Sequence, residues 1–150
     1  MNLSYQEKGI AGSLAAALLV YGNYFAESIA RWRDGVPDHD AVGRLLGTIA
    51  LLVVIEVAYQ IVIAVVEPPS PKDERDRLID ANSNRNAYAV LVVSLALLIT
   101  GVIVIEGISS AEWSPVPLTP FLLAQVMLAA LVAAEVVKGV TQLYYYRAGL

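Results

Sequence analysis

The stretch Glu67-Pro68-Pro69-Ser70-Pro71-Lys72-Asp73-Glu74-Arg75-Asp76-Arg77, continuing through Leu78 to Tyr88, is the one long polar passage in the chain and divides it into two apolar halves. Each half holds two apolar segments, near residues 10–30 and 45–66 before the divide and 87–105 and 118–145 after it. About 20 apolar residues in a helix cross the roughly 30 Å of hydrocarbon in a bilayer. The polar stretch therefore reads as the link between two transmembrane hairpins. The fold expected is a single all-α domain, an integral membrane four-helix bundle.

Within the link, Pro68, Pro69 and Pro71 stop the second helix, because proline lacks the amide that a helix interior needs. Ser70-Pro71-Lys72-Asp73 then offers an N-cap, a proline at the first helical position and an acid at the third. A helix over 71–106 is predicted, projecting two or three turns beyond the membrane before it enters. Asp73, Asp76, Arg77, Asp80 and Asn84 fall on one side of the projection, with Asp73 and Arg77 at ion-pair spacing. This side is either a solvated helix face with internal salt bridges or a docking face for a soluble protein partner or a cation.

Composition supports the membrane reading, with 57% of the 150 residues hydrophobic. The absence of cysteine excludes disulfides and thiolate chemistry. At a net charge of −4 nucleic acid is not an expected partner, since phosphate binding wants a concentrated basic face. His39, the one histidine, lies in the polar turn 34–40 and reads as a solvated loop residue. Neither a metal nor a cofactor is expected.

The first segment has a signal-peptide alternative, with Lys8 before it and Ala26-Glu27-Ser28 as a loose cleavage site. Its length and its Asn23 and Glu27 favour a retained span. At 100° per residue, Gly9, Gly12, Ala16, Asn23, Glu27 and Ala30 share one narrow arc, which is expected to pack against other helices. On the second segment Leu52, Glu56, Tyr59, Gln60, Ile63 and Glu67 share a face. Gly43, Gly47 and Ala50 lie on the other side at small-residue spacing and read as a surface for a homodimer or higher homo-oligomer. On the fourth, Glu135, Lys138, Gly139 and Gln142 share a side, with Glu135 and Lys138 at ion-pair spacing.

Basic residues set the orientation. Lys8, Lys72, Arg75, Arg77, Arg85, Lys138 and Arg147 belong to the side of the termini and the link, against Arg31, Arg33 and Arg44 on the other. This asymmetry places both termini in the cytoplasm. Trp32 and Trp113 mark the outer boundary, and Tyr5, Tyr88 and Tyr144 to Tyr146 the inner one.

The halves also resemble each other. Ser13-Leu14-Ala15 precedes Trp32 by the spacing at which Ser94-Leu95-Ala96 precedes Trp113, and Leu-Val-x-x-Glu-Val occurs at 52–57 and at 131–136. Chance similarity of apolar helices and an internal parallel duplication both account for this; duplication would make Glu56 and Glu135 equivalent.

Ser4-Tyr5-Gln6-Glu7-Lys8, the run from Leu18 to Phe25, Asp73-Glu74-Arg75-Asp76-Arg77-Leu78-Ile79, Asn84-Arg85-Asn86-Ala87-Tyr88 and the ending Tyr144-Tyr145-Tyr146-Arg147 together resemble a group of small bacterial inner-membrane proteins of unknown function. The likeness covers most of the chain, and its most distinctive part is the Asp-Glu-Arg-x-Arg motif. It implies localisation and architecture, with no activity to carry over.

Two functions follow from the residues. One is a non-enzymatic regulatory or interaction module that offers its charged helix to a cytoplasmic partner. The other is a proton or cation transporter, since intramembrane ionisable groups are costly and often mark ion routes. Its candidate path residues are Asn23, Glu27, Glu56, Tyr59, Glu106, Glu135 and Lys138. Glu56 is expected to face protein or trapped water rather than lipid, and to be protonated or hydrogen-bonded there. No Ser/His pair, HExxH or phosphate-binding glycine loop is present, so no catalytic residue is nominated.

Overall fold

The computed structural model describes residues 4–34, 40–66, 71, 73–109 and 119–148. It contains four helices, α1 (Tyr5–Arg33), α2 (Ala41–Val66), α3 (Glu74–Ser109) and α4 (Pro120–Ala148). All four are long and apolar enough to cross a membrane. The chain is an all-α, multi-pass four-helix bundle. His39, Glu67, Lys72 and Trp113 lie outside the described residues.

Each of three helices begins on a local signal. At α1, Ser4 Oγ accepts the Glu7 amide while Glu7 Oε2 accepts the Ser4 amide, a reciprocal capping box. At α4, Thr119 Oγ1 accepts the Leu122 amide ahead of Pro120 at the first helical position. At α3 the helix begins at Glu74 rather than at the expected Pro71, while Ser70, the expected cap, lies outside the described residues. Asp73 Oδ1 accepts the Asp76 amide at 2.7 Å, and Asp76 Oδ2 accepts the Asp73 amide at 3.2 Å. Two aspartates three apart satisfy two orphan donors at once, so the helix starts at Glu74.

Across the bundle the helices lie in the order α2, α1, α4, α3. α1 packs on α2 and on α4, α4 packs on α3, and no contact joins α2 to α3 among the described residues. The bundle is therefore open along one side. Close approach within it depends on small side chains, as expected where lipid gives apolar surfaces no reason to associate. Ala130, Ala134 and Gly139 of α4 are buried, and a β-carbon on Gly139 would stand 3.3 Å from Leu14 Cδ1 of α1.

Between α1 and α2 the closest approach is Gly12. The Tyr59 ring fills the space a β-carbon there would take, and the Tyr59 hydroxyl donates to the Lys8 carbonyl at 2.7 Å. The α1 arc expected to pack is packed only in part. Gly12 is covered, whereas Asn23, Glu27 and Ala30 are exposed and no heavy atom lies near the β-carbon position of Gly9. The packed arc ends there because Asn23 bonds to Glu27 along its own helix rather than across to a neighbour.

The hairpins do not share a register. Ser13 bonds to Glu56 between α1 and α2, whereas α3 and α4 pair Asp80 with Gln142 and Asp76 with Tyr146. No bond joins Ser94 to Glu135, the pair that duplication would place like Ser13 and Glu56. These cross-links also set relative heights. The α3 turn at Asp76 stands level with Gln6 of α1 and Tyr146 of α4, while the Ser13 to Gln60 bond brings the apolar end of α2 to a similar height. Val65 and Val66 there are among the most exposed apolar side chains.

Candidate functional site

Two features collect polar side chains: a clasp at the end of the bundle that holds the termini, and a groove beside it. The clasp is built on the first turns of α3. Asp76, Ile79 and Ser83 are buried, and they recur every three or four residues, which turns one side of the charged helix inward. The Tyr146 hydroxyl donates to Asp76 Oδ1 at 2.8 Å, and Gln6 Nε2 reaches Asp76 Oδ2 at 3.4 Å. Gln142 Nε2 donates to Asp80 Oδ1 at 2.8 Å, and Arg75 Nη2 reaches the Tyr146 carbonyl at 3.4 Å. Ser83, fully buried, returns its hydroxyl to the Ile79 carbonyl. Three helices are thereby joined through one carboxylate.

This arrangement divides the five residues placed on one side of the projection. Asp76 and Asp80 bond inward to α4, and Asp73 caps the helix with its carboxylate. Asp73 and Arg77 meet only through the helical amide of Arg77 on the Asp73 carbonyl, because the Asp73 side chain is committed to the cap. Arg77 is exposed with Leu78 and Arg85 on the outward side of the segment, whereas Asn84, also exposed, borders the groove. Sequence periodicity locates a charged face, yet it does not say that two of its acids are held within the protein.

The groove lies over α1, walled by α2 on one side and by α4 with the start of α3 on the other, and encloses about 750 Å³. Glu56, Gln60, Asp80, Asn84, Glu135 and Lys138 all line it. Ser13 holds the α2 wall, donating its hydroxyl to Glu56 Oε2 at 3.0 Å while accepting from Gln60 Nε2 at 3.3 Å. Glu56 thus faces α1 and is hydrogen-bonded there. Tyr59, one turn away, serves the α1 contact at Gly12. Glu135 and Lys138 share the groove without the ion pair their spacing suggests; among the described residues neither side chain has a polar partner. A groove wall leaves each long side chain free to reach into the opening instead of lying along the helix.

The remaining candidate path residues stand elsewhere. Asn23 Nδ2 donates to Glu27 Oε1 at 3.2 Å, and Arg44 Nη1 lies 3.8 Å from Glu27 at the opposite end of α1. Glu106 is exposed near the end of α3. Between the two polar regions Tyr24 is buried and its hydroxyl receives the Gln125 amide. Gly47 and Ala50 are exposed on the side of α2 away from the groove, and Gly47 has open space at its β-carbon position. Gly43 differs, since the Asp40 carboxylate occupies the equivalent space. No group of three metal-ligating side chains occurs among the described residues.

Four contributors were not expected in the roles they take: the Ser4/Glu7 capping box, the buried Ala130/Ala134 pair, Ser13 on Glu56, and Tyr146 on Asp76. The first two carried readable signals, Ser-x-x-Glu and small residues four apart. The other two did not, because their roles depend on which helices are neighbours. No family model matches the chain, and no curated protein or solved structure is similar to it.

Proposed function

We propose that the protein is a non-enzymatic, homo-oligomeric interaction module of the bacterial inner membrane, with both termini in the cytoplasm. In this reading the clasped start of α3 presents its outward side to a cytoplasmic protein. The observation that carries the reading is the convergence of α1, α3 and α4 on Asp76. A helix extended beyond the bilayer only to be solvated has no need of buried hydrogen bonds to two neighbours. Fixed on its inner side, it offers Arg77, Leu78 and Arg85 in a constant arrangement, and pre-ordering lowers the entropy lost when a partner binds. The basic asymmetry of the sequence supports the orientation. The resemblance to small bacterial inner-membrane proteins supports the location.

Cation conduction is the second reading, favoured by Glu56, Glu135 and Asp80 lining one groove. Glu27 and Glu106 lie apart from that groove, and the buried Tyr24 stands between its polar end and Glu27. A photo-crosslinker placed at Leu78 in cells tests the first reading. One discrete adduct heavier than the homo-oligomer is expected, lost when Arg77 and Arg85 are changed to Glu. Equal crosslinking from Val93 would overturn it. Proton and cation flux in liposomes, measured for the wild type and Glu56→Gln, tests the second. No flux above empty vesicles is expected from either.

A further inference from the structure

The groove is segregated by polarity along its length. Towards the termini its walls carry Gln60, Asp80, Asn84, Lys138 and Glu56, with Glu135 one turn below Gly139, and towards the middle of the bundle Leu52, Val53, Leu128 and Val132. On the α1 floor the apolar part runs from Ser13 to Tyr21, about 12 Å at 1.5 Å per residue, close to half of a ~30 Å hydrocarbon core. Because α2 and α3 do not touch, the groove opens sideways towards the surrounding membrane. Its length, its opening and its gradient match one leaflet of a bilayer.

The polar end carries both signs of charge. Glu56 and Glu135 supply carboxylates, Asp80 adds a third that already accepts from Gln142, and Lys138 supplies an ammonium that is not paired with Glu135. A purely anionic head group would meet the carboxylates. A simple cation would leave Lys138 opposed to it. We infer that the groove seats one phospholipid whose head carries a primary ammonium beside its phosphate, as in phosphatidylethanolamine. The three N–H donors of that ammonium face Glu56, Glu135 and the Asn84 carbonyl oxygen, all acceptors, while Lys138 takes the phosphate. One acyl chain lies along Leu14, Leu52 and Leu128. This inference rests on the chain spanning a membrane and is independent of partner docking by α3.

Native mass spectrometry of the full-length protein, released from nanodiscs of equal parts phosphatidylethanolamine, phosphatidylglycerol and phosphatidylcholine, is the test. One retained phosphatidylethanolamine per chain is expected, in preference to both other lipids. The choline comparison is decisive on the wild type, because choline keeps the charges and loses the N–H donors. Glu135→Gln and Lys138→Met should each cut retention about threefold, the effect of a half-exposed charge pair, with Arg77→Gln as an unaffected control. Retention without head-group preference, or preference for choline or glycerol heads, would overturn the assignment. So would a protein that leaves the nanodisc with no lipid retained, whether as monomer or dimer.

Discussion

The ring of Tyr59 occupies the volume that a β-carbon on Gly12 would need. α1 and α2 are therefore held by an aromatic ring laid on bare backbone, with its hydroxyl anchored one turn back on the Lys8 carbonyl. Gly12→Ala should destabilise the protein by about 1–3 kcal/mol, the usual range for overpacking. Gly9→Ala, where nothing lies within 4 Å of the new methyl, should be neutral or gain up to about 1 kcal/mol from helix propensity. Unfolding of both variants in detergent titrated with sodium dodecyl sulfate compares them directly. Equal midpoints would mean that the ring moves aside at no cost.

Asp76 serves the cap, Tyr146 and Gln6 together. Asp76→Ala should be destabilising, since it removes the return bond to the Asp73 amide and the acceptor for Tyr146, each worth about 0.5–1.5 kcal/mol net. It should also release the start of α3, raising amide hydrogen exchange from Glu74 to Ile79 while leaving the apolar part of α3 protected. Tyr146→Phe should produce a smaller rise over the same amides. Exchange unchanged in both variants would show that apolar packing of Ile79 suffices to hold the segment.

The four spans, the charged start of α3 and the contact of Glu56 with protein were legible in the sequence, because hydropathy and helical period are local properties. Neighbour relations were not. α2 is apolar nearly all round, so nothing in its own pattern says that Tyr59 meets Gly12 while Gly47 stays open. The inward turn of Asp76 and Asp80 was hidden for a related reason. Their partners Tyr146 and Gln142 lie on a helix more than sixty residues away, and a polar run reads as solvated until that helix is placed beside it.

Burial also decides how topology should be probed. Asp76 is nearly inaccessible, so a cysteine there would report poorly, whereas Asn82 is exposed on the same segment. A cysteine at Asn82 should resist membrane-impermeant maleimide in intact cells and react once the cytoplasm is opened. A cysteine replacing Arg31 should react from outside. The reverse pattern would invert the proposed orientation.

Gly47 lies on exposed α2 surface with open space above it. If a second copy packs there, Gly47→Leu should block close approach and shift native mass spectra in detergent towards monomer. Gly43→Leu would also displace the Asp40 carboxylate and disturb the start of α2, so it is the poorer probe. An unchanged mass for Gly47→Leu would assign this side of α2 to lipid.

The apolar end of α2 and the charged start of α3 stand at similar heights on opposite flanks of the molecule. The α3 flank becomes apolar only near Ala87, roughly 16 Å deeper than Asp76 at 1.5 Å per residue. The hydrophobic belt is consequently slanted. A flat bilayer meets a slanted belt by tilting the protein or by thickening the leaflet beside α2, each at a modest cost per ångström of mismatch. The apolar surface is thus wedge-shaped, and the angle of the protein to the bilayer normal should change between short-chain and long-chain lipids, a change that oriented infrared dichroism of the helices would register.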